Sequence, residues 1–126
     1  MTMMYDWNRL PREVVRPGVE RCGFRGEDSI LVMNWISPAI DVRPHQHEFE
    51  QLVVCVQGSF NYHVGDRVFH MTPGCMLRVP PRTVHYIEPV GHEVALNLDI
   101  FAPMRDDYRH LVEYQAGEFP SSRGKA

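Results

Sequence analysis

The stretch Pro44-His45-Gln46-His47-Glu48-Phe49-Glu50-Gln51-Leu52-Val53-Val54-Cys55-Val56-Gln57-Gly58 decides how the rest of this chain is read. Side chains alternate along a β-strand, so His45 and His47 face the same way with their Cα atoms roughly 6.5 Å apart. Two imidazoles at that separation can share one metal ion. Gln51 returns to their face if the short Glu48–Glu50 segment bends. The apolar run Leu52–Val56 reads as a buried strand, with Gly58 in the turn that ends it.

A third imidazole is available from His85, at the end of Pro80-Pro81-Arg82-Thr83-Val84-His85. A strand antiparallel to the first would set it opposite the pair. Three neutral imidazoles and one oxygen donor suit a single divalent ion such as zinc, nickel, iron(II) or manganese. Gln51 in place of a carboxylate keeps the site one unit more positive, which weakens ion binding and sharpens Lewis acidity toward an anionic ligand. Glu48 and Glu50 stand as alternative oxygen donors. His63, His70, His92 and His110 lack a second ligand at useful spacing and read as structural or surface residues.

Outward from this stretch the chain is a series of short β-type runs: 30–36, 51–56, 60–64, 67–71, 76–79, 84–88 and 94–101. Gly, Pro and Ser turns separate them, and Gly65-Asp66 reads as a tight hairpin. Many short strands at even spacing predict an all-β sandwich or barrel. Residues 1–28, rich in Arg, Pro and Gly, read as an N-terminal arm that wraps the domain with one short strand. Residues 29–116 form the barrel and a short closing helix from Met104 to Tyr114. Residues 117–126 read as a flexible tail.

In the last strand Leu96, Leu98 and Ile100 share one face, and Asn97, Asp99 and Phe101 share the other. If the polar face looks into a site, the aliphatic face needs cover from a second sheet layer or a second subunit. A homodimer is the expectation. Tyr86, Tyr62, Phe60, Trp35 and Phe101 read as the apolar lining, mainly core. Arg78 and Arg82 read as solvated surface residues that stand near the mouth.

At 126 residues the chain is one domain, able to build a core without metal or disulfide staples. A net charge of −3 gives no basic footprint for nucleic acid or an anionic membrane. No apolar run approaches the ~20 residues of a membrane span, and no signal peptide is visible. Cys22, Cys55 and Cys75 are odd in number and widely spaced, which suits free thiols in a reducing cytoplasm.

These residues together resemble the cupin superfamily, whose fold is a small double-stranded β-helix, or jelly-roll barrel. The first cupin motif is matched by His45-x-His47-x3-Gln51-x6-Gly58, and the second by Gly74-x5-Pro80-x-Arg82-x2-His85-x3-Pro89. Departures are Gln51 for the usual Glu, Arg82 for the second Gly, Pro89 for the Asn, and Ala39 where the first motif opens on Gly. The closing run Leu98-Asp99-Ile100-Phe101-Ala102-Pro103-Met104-Arg105-Asp106-Asp107-Tyr108 narrows the resemblance to small single-domain cupins of the KdgF type. That family linearises unsaturated monouronates to the open-chain keto acid.

The resemblance implies a metal-dependent enzyme acting on a small anionic sugar acid. His45, His47, Gln51 and His85 would be its metal ligands, and Asp99 and Arg105 its acid and base pair. A structural salt bridge between Asp99 and Arg105 is the bland counterpart of that pair. Two other readings share the ligand set. A cupin dioxygenase or other oxidoreductase would need a redox-active metal, which Gln51 supports less well than a carboxylate. A non-catalytic module would bind a small acid or sugar reversibly, although these residues contain no helix-turn-helix stretch.

Overall fold

The computed structural model describes residues 3–119 as two antiparallel sheets packed face to face. Its strands are β1 (Glu13–Arg16), β2 (Val19–Arg25), β3 (Ile30–Ile36), β4 (Gln51–Gln57), β5 (Phe60–Val64), β6 (Arg67–Met71), β7 (Met76–Val79), β8 (His85–Pro89) and β9 (Ala95–Phe101). The larger sheet has the order β1-β2-β3-β9-β4-β7 and the smaller one β6-β5-β8. This is the two-layer cupin barrel expected from the motifs. Phe60, Tyr62, Met71, Val53 and Val79 fill the space between the layers.

The N-terminal stretch departs from the expected arm. Residues 13–25 supply two strands, and β2 pairs with β3 along its whole length, from Val19↔Ile36 to Arg25↔Ile30. Arg, Glu and Gly in this stretch mask its alternation. Cys22 is buried on the outer side, against Met33 and Leu96, with Leu10 and Trp35 packed around them. The N-terminal segment therefore covers part of the aliphatic face of β9. Leu98 and Ile100 stay half-buried beside the exposed Phe24, Leu52 and Met76.

The closing helix is also different. Asp106–Glu118 is a 3-10 segment broken at Val112, where φ −126° leaves the helical region. Its anchors are Val112, against Ile30, Val32 and Phe101, and the buried Gln115, which bonds both backbone groups of Arg25. The segment runs on to Glu118, into the stretch expected to be tail; the rest of that expectation, residues 120–126, lies outside the described residues.

A glycine turn helps position the site. Gly58 sits at φ +73° with the Ala95 backbone 3.0 Å from where a Cβ would be, so β4 and β9 approach only with glycine there. Cys22, Cys55 and Cys75 are free thiols. No helix of the described residues is long and apolar enough to cross a membrane.

Candidate metal centre

His45 and His85 form an isolated antiparallel bridge, exchanging backbone hydrogen bonds of 3.1 and 2.8 Å. Arg82 N–H donates to the carbonyl of His47 at 2.7 Å. Three main-chain bonds thus pin the segment before β4 to the start of β8. The histidine ligand atoms fall within 4.8 Å of one another, a group that could hold one metal ion. His85 is fully buried, while the other two stand toward the opening.

Each ring is oriented by a carbonyl, which can only accept a hydrogen bond. Nδ1 of His45 lies 2.8 Å from Arg43 O, that of His47 2.9 Å from Phe49 O, and that of His85 2.8 Å from Thr83 O. In the neutral rings Nδ1 therefore carries the hydrogen, and Nε2 presents a lone pair. His85 Nε2 is buried with no hydrogen-bond partner among the described residues, a costly arrangement for a polar atom. Burial first, helped by the charges of His45, His47 and Arg105, lowers the His85 pKa to about 4, so the ring is neutral at pH 7.

Gln51, at the start of β4 after the bend at Glu48–Glu50, brings an amide oxygen beside the three imidazoles. Its Nε2 donates to Tyr62 OH at 3.1 Å and to Asp99 Oδ1 at 2.8 Å, which leaves Oε1 facing His47 Nε2 at 3.0 Å. With Nδ1 protonated, both facing atoms are acceptors, and only a proton or a shared cation between them relieves the contact. Two ligands each ~2.1 Å from one ion and at a right angle to each other stand about 3.0 Å apart. The orphaned Nε2 of His85 and this acceptor pair both fit a divalent ion held by His45, His47, His85 and Gln51.

Asp99 lies behind Gln51, half-buried, and is held by amide donors. Asn97 and Gln51 bond its Oδ1 at 2.9 and 2.8 Å, and Asn34 its Oδ2 at 3.1 Å. Burial raises its pKa to about 6, against the lowering effect of those bonds and of the Arg105 charge. Arg105 is not its ion-pair partner. That guanidinium binds Asp107 through Nε and Nη2 at 3.0 and 2.7 Å and lies over Phe49, Phe101 and Tyr108. The salt bridge considered for Asp99 and Arg105 is absent, because Asp107, two residues along the chain, occupies the fork first.

His45, His47, Gln51, Asn34, Asn97 and Asp99 line one cavity of about 430 Å³ that opens between the sheets. Arg16, Arg21, Arg43 and Arg105 also line it, and Asp99 is its only carboxylate among the described residues. Glu48 and Glu50 drop out as ligands, since they bond Arg82 and Arg78 outside the cavity. Tyr62 and Phe101 line the cavity as expected, but Trp35 and Tyr86 do not. Trp35 lies on the outer face under Arg12, and Tyr86 stacks on His63 at 4.1 Å. His63 bonds Glu88, His70 bonds Asn61, and His110 bonds Glu13, so these three are surface pairs.

Sequence reasoning missed Asn34, Arg16 and Arg43. The signal for Asn34 was present: one amide inside the apolar strand Ile30–Ile36, in register with Asn97. The arginines carried no such signal, because the β1–β2 hairpin that brings Arg16 to the cavity was read as an arm.

The barrel and its histidine cluster define a cupin. The AraC-like ligand binding domain family matches residues 29–117, and the chain belongs to that family. Among solved structures, KdgF from Halomonas sp. is 26% identical, with a TM-score of 0.76 over 85% of this chain and 98% of that one. An RmlC-like cupin from Shewanella frigidimarina NCIMB 400 is 22% identical, with a TM-score of 0.73 over 86% of this chain and 96% of that one. The polyketide cyclase RemF from Streptomyces resistomycificus is 19% identical, with a TM-score of 0.72 over 84% of this chain and 82% of that one. No curated protein matches.

Proposed function

We propose that this chain is a metal-dependent enzyme that opens the ring of unsaturated monouronates. The observation that carries this reading is the line His47–Gln51–Asp99, in which one buried amide joins a metal-facing imidazole to a carboxyl. The similarity to KdgF and the arginine-lined cavity support it.

The reaction is an isomerisation. The hemiacetal hydroxyl loses its proton as the bond from that carbon to the ring oxygen breaks. A proton adds to the alkene carbon, and the ring oxygen ends as the ketone. A bound divalent ion supplies Lewis acidity and a template for the substrate oxygens. Asp99, beside the ligands, holds and delivers the proton. Gln51, Asn97 and Asn34 hold its carboxyl in place. Arg105, its fork taken by Asp107, adds positive charge near Asp99 and seals the cavity with its aromatic neighbours.

The test is loss of the enol-ether ultraviolet absorbance when metal-loaded protein meets unsaturated galacturonate. Asp99→Asn is expected to lower kcat by about a hundredfold or more. No acceleration with zinc, nickel, iron or manganese would remove the proposal. The family match favours a second reading, a ligand-binding module without turnover. Binding with the ligand recovered unchanged would select it.

A further inference from the structure

Arg16 and Arg43 stand together at the cavity wall, from opposite sides of the chain's own connections. Arg16 ends β1 and donates Nη1–H to Asp41 O at 2.8 Å. Arg43 lies two residues before the first histidine ligand, and its carbonyl orients that ring. The β1–β2 turn holds the two together. Gly18, at φ +86°, lies so close to Ile40 that a Cβ there would meet its Cγ2 at 2.6 Å, and Gly18 O accepts from Ser37 N–H at 2.8 Å.

The four cavity arginines are not equivalent. Arg105 is paired with Asp107, and Arg21 is paired with Glu13 and lies over Tyr108. Arg16 and Arg43 form no ion pair among the described residues. Arg16 is close enough to Arg43 that, after burial, the charge of Arg43 lowers its pKa. The Asp41 charge also reaches Arg16, but its carboxylate makes no ion pair with either guanidinium, so two neighbouring cations keep their forks open to an anion. Deeper in the same cavity, Asn97 is 4% exposed and its Oδ1 has no partner among the described residues. Its Nδ2 is committed to Asp99, so the free atom is an acceptor, matched by a hydroxyl.

We propose that Arg16 and Arg43 grip the carboxylate of a small hydroxy acid whose hydroxyl reaches Asn97 Oδ1. This rests on the cavity being the ligand site, and it gives the binding pair as Arg16 and Arg43 rather than Arg105. The ligand class is a hydroxylated monoacid of sugar size, which neutral sugars and unhydroxylated acids match only in part.

Calorimetric titration of zinc-loaded protein with galacturonate, its uncharged methyl ester and cyclohexanecarboxylate tests this. Galacturonate is expected to bind best, and Arg16→Gln and Arg43→Gln each to weaken it by about tenfold. Arg16→Lys should restore most of that loss. In Asn97→Ala the preference for galacturonate over cyclohexanecarboxylate should disappear. Arg43 makes no side-chain hydrogen bond among the described residues, so Arg43→Gln keeps the test open if Arg16→Gln misfolds. Equal galacturonate affinity in wild type and Arg43→Gln, or no galacturonate binding to wild type, overturns the proposal. Arginine-dependent binding without uronate turnover supports it and removes the enzymatic reading. Uronate turnover with KM unchanged in both arginine variants overturns it and leaves that reading standing.

Discussion

Arg82 donates its backbone N–H to His47 O at 2.7 Å while holding φ at 58°, in the left-handed region. The second cupin motif has glycine at this position, and the conformation glycine would favour persists with arginine in its place. The bond to His47 and the Pro80-Pro81 approach leave the backbone no alternative. Arg82→Gly is therefore expected to raise stability by roughly 1 kcal/mol, since it relieves an L-residue from that region at the loss of one exposed ion pair. Chemical denaturation of the two proteins measures it, and a fall in stability would contradict it.

The three-imidazole cluster predicts metal loss on truncation. His45→Ala and His85→Ala should each reduce zinc affinity by more than about a hundredfold, read by competition with a chromophoric chelator. His85→Ala should in addition destabilise the metal-free fold, because this ring fills a buried site. Protein purified without added metal and then assayed by elemental analysis gives the simplest check. Undiminished metal in either variant would mean a different ligand set.

Gln51→Glu sets two effects against each other. A carboxylate facing the ion should tighten divalent binding by about tenfold. The same change removes the amide donor to Asp99 Oδ1 and places a second acid beside it. The Asp99 pKa should then rise further above about 6. The pH profile of turnover should shift upward, and an unshifted profile with tighter metal binding would detach Asp99 from the reaction.

In the metal-free protein the two shifted titrations oppose each other. His85 falls from 6.5 to about 4 on folding, so its contribution is present above the unfolded value and lost as pH falls through about 4. Asp99 rises from 3.8 to about 6, so its contribution is present below the unfolded value and lost as pH rises through about 6. Between those values the melting temperature should change little. In Asp99→Asn only the His85 slope remains, and stability should climb with pH across the same window.

The strands from Ile30 to Phe101 were legible to within a residue at each end, because alternation, β-branched runs and glycine or proline turns are local properties. The histidine cluster was legible for a related reason. His45-x-His47 shares a face by period alone, and His85 follows a proline-rich turn that stops one strand and starts the next. Chain-local physics does not determine which residue lies opposite which. Asn34 and Gln51 meet Asp99 only through the β3–β9–β4 register, which joins residues more than forty positions apart, while Asn97 reaches it from two residues away on β9. Arg105 found Asp107 rather than Asp99 for the same reason in reverse, a near partner winning over a distant one. The rim arginines depend on β1 and β2 folding back against β3, which their mixed charge and glycine content conceal. Periodicity along the chain thus determined the barrel and its histidine-bearing face. Carbonyls two residues away turn each ring, whereas packing between distant segments decided which carboxyl is enclosed by amides and where an anion can be held.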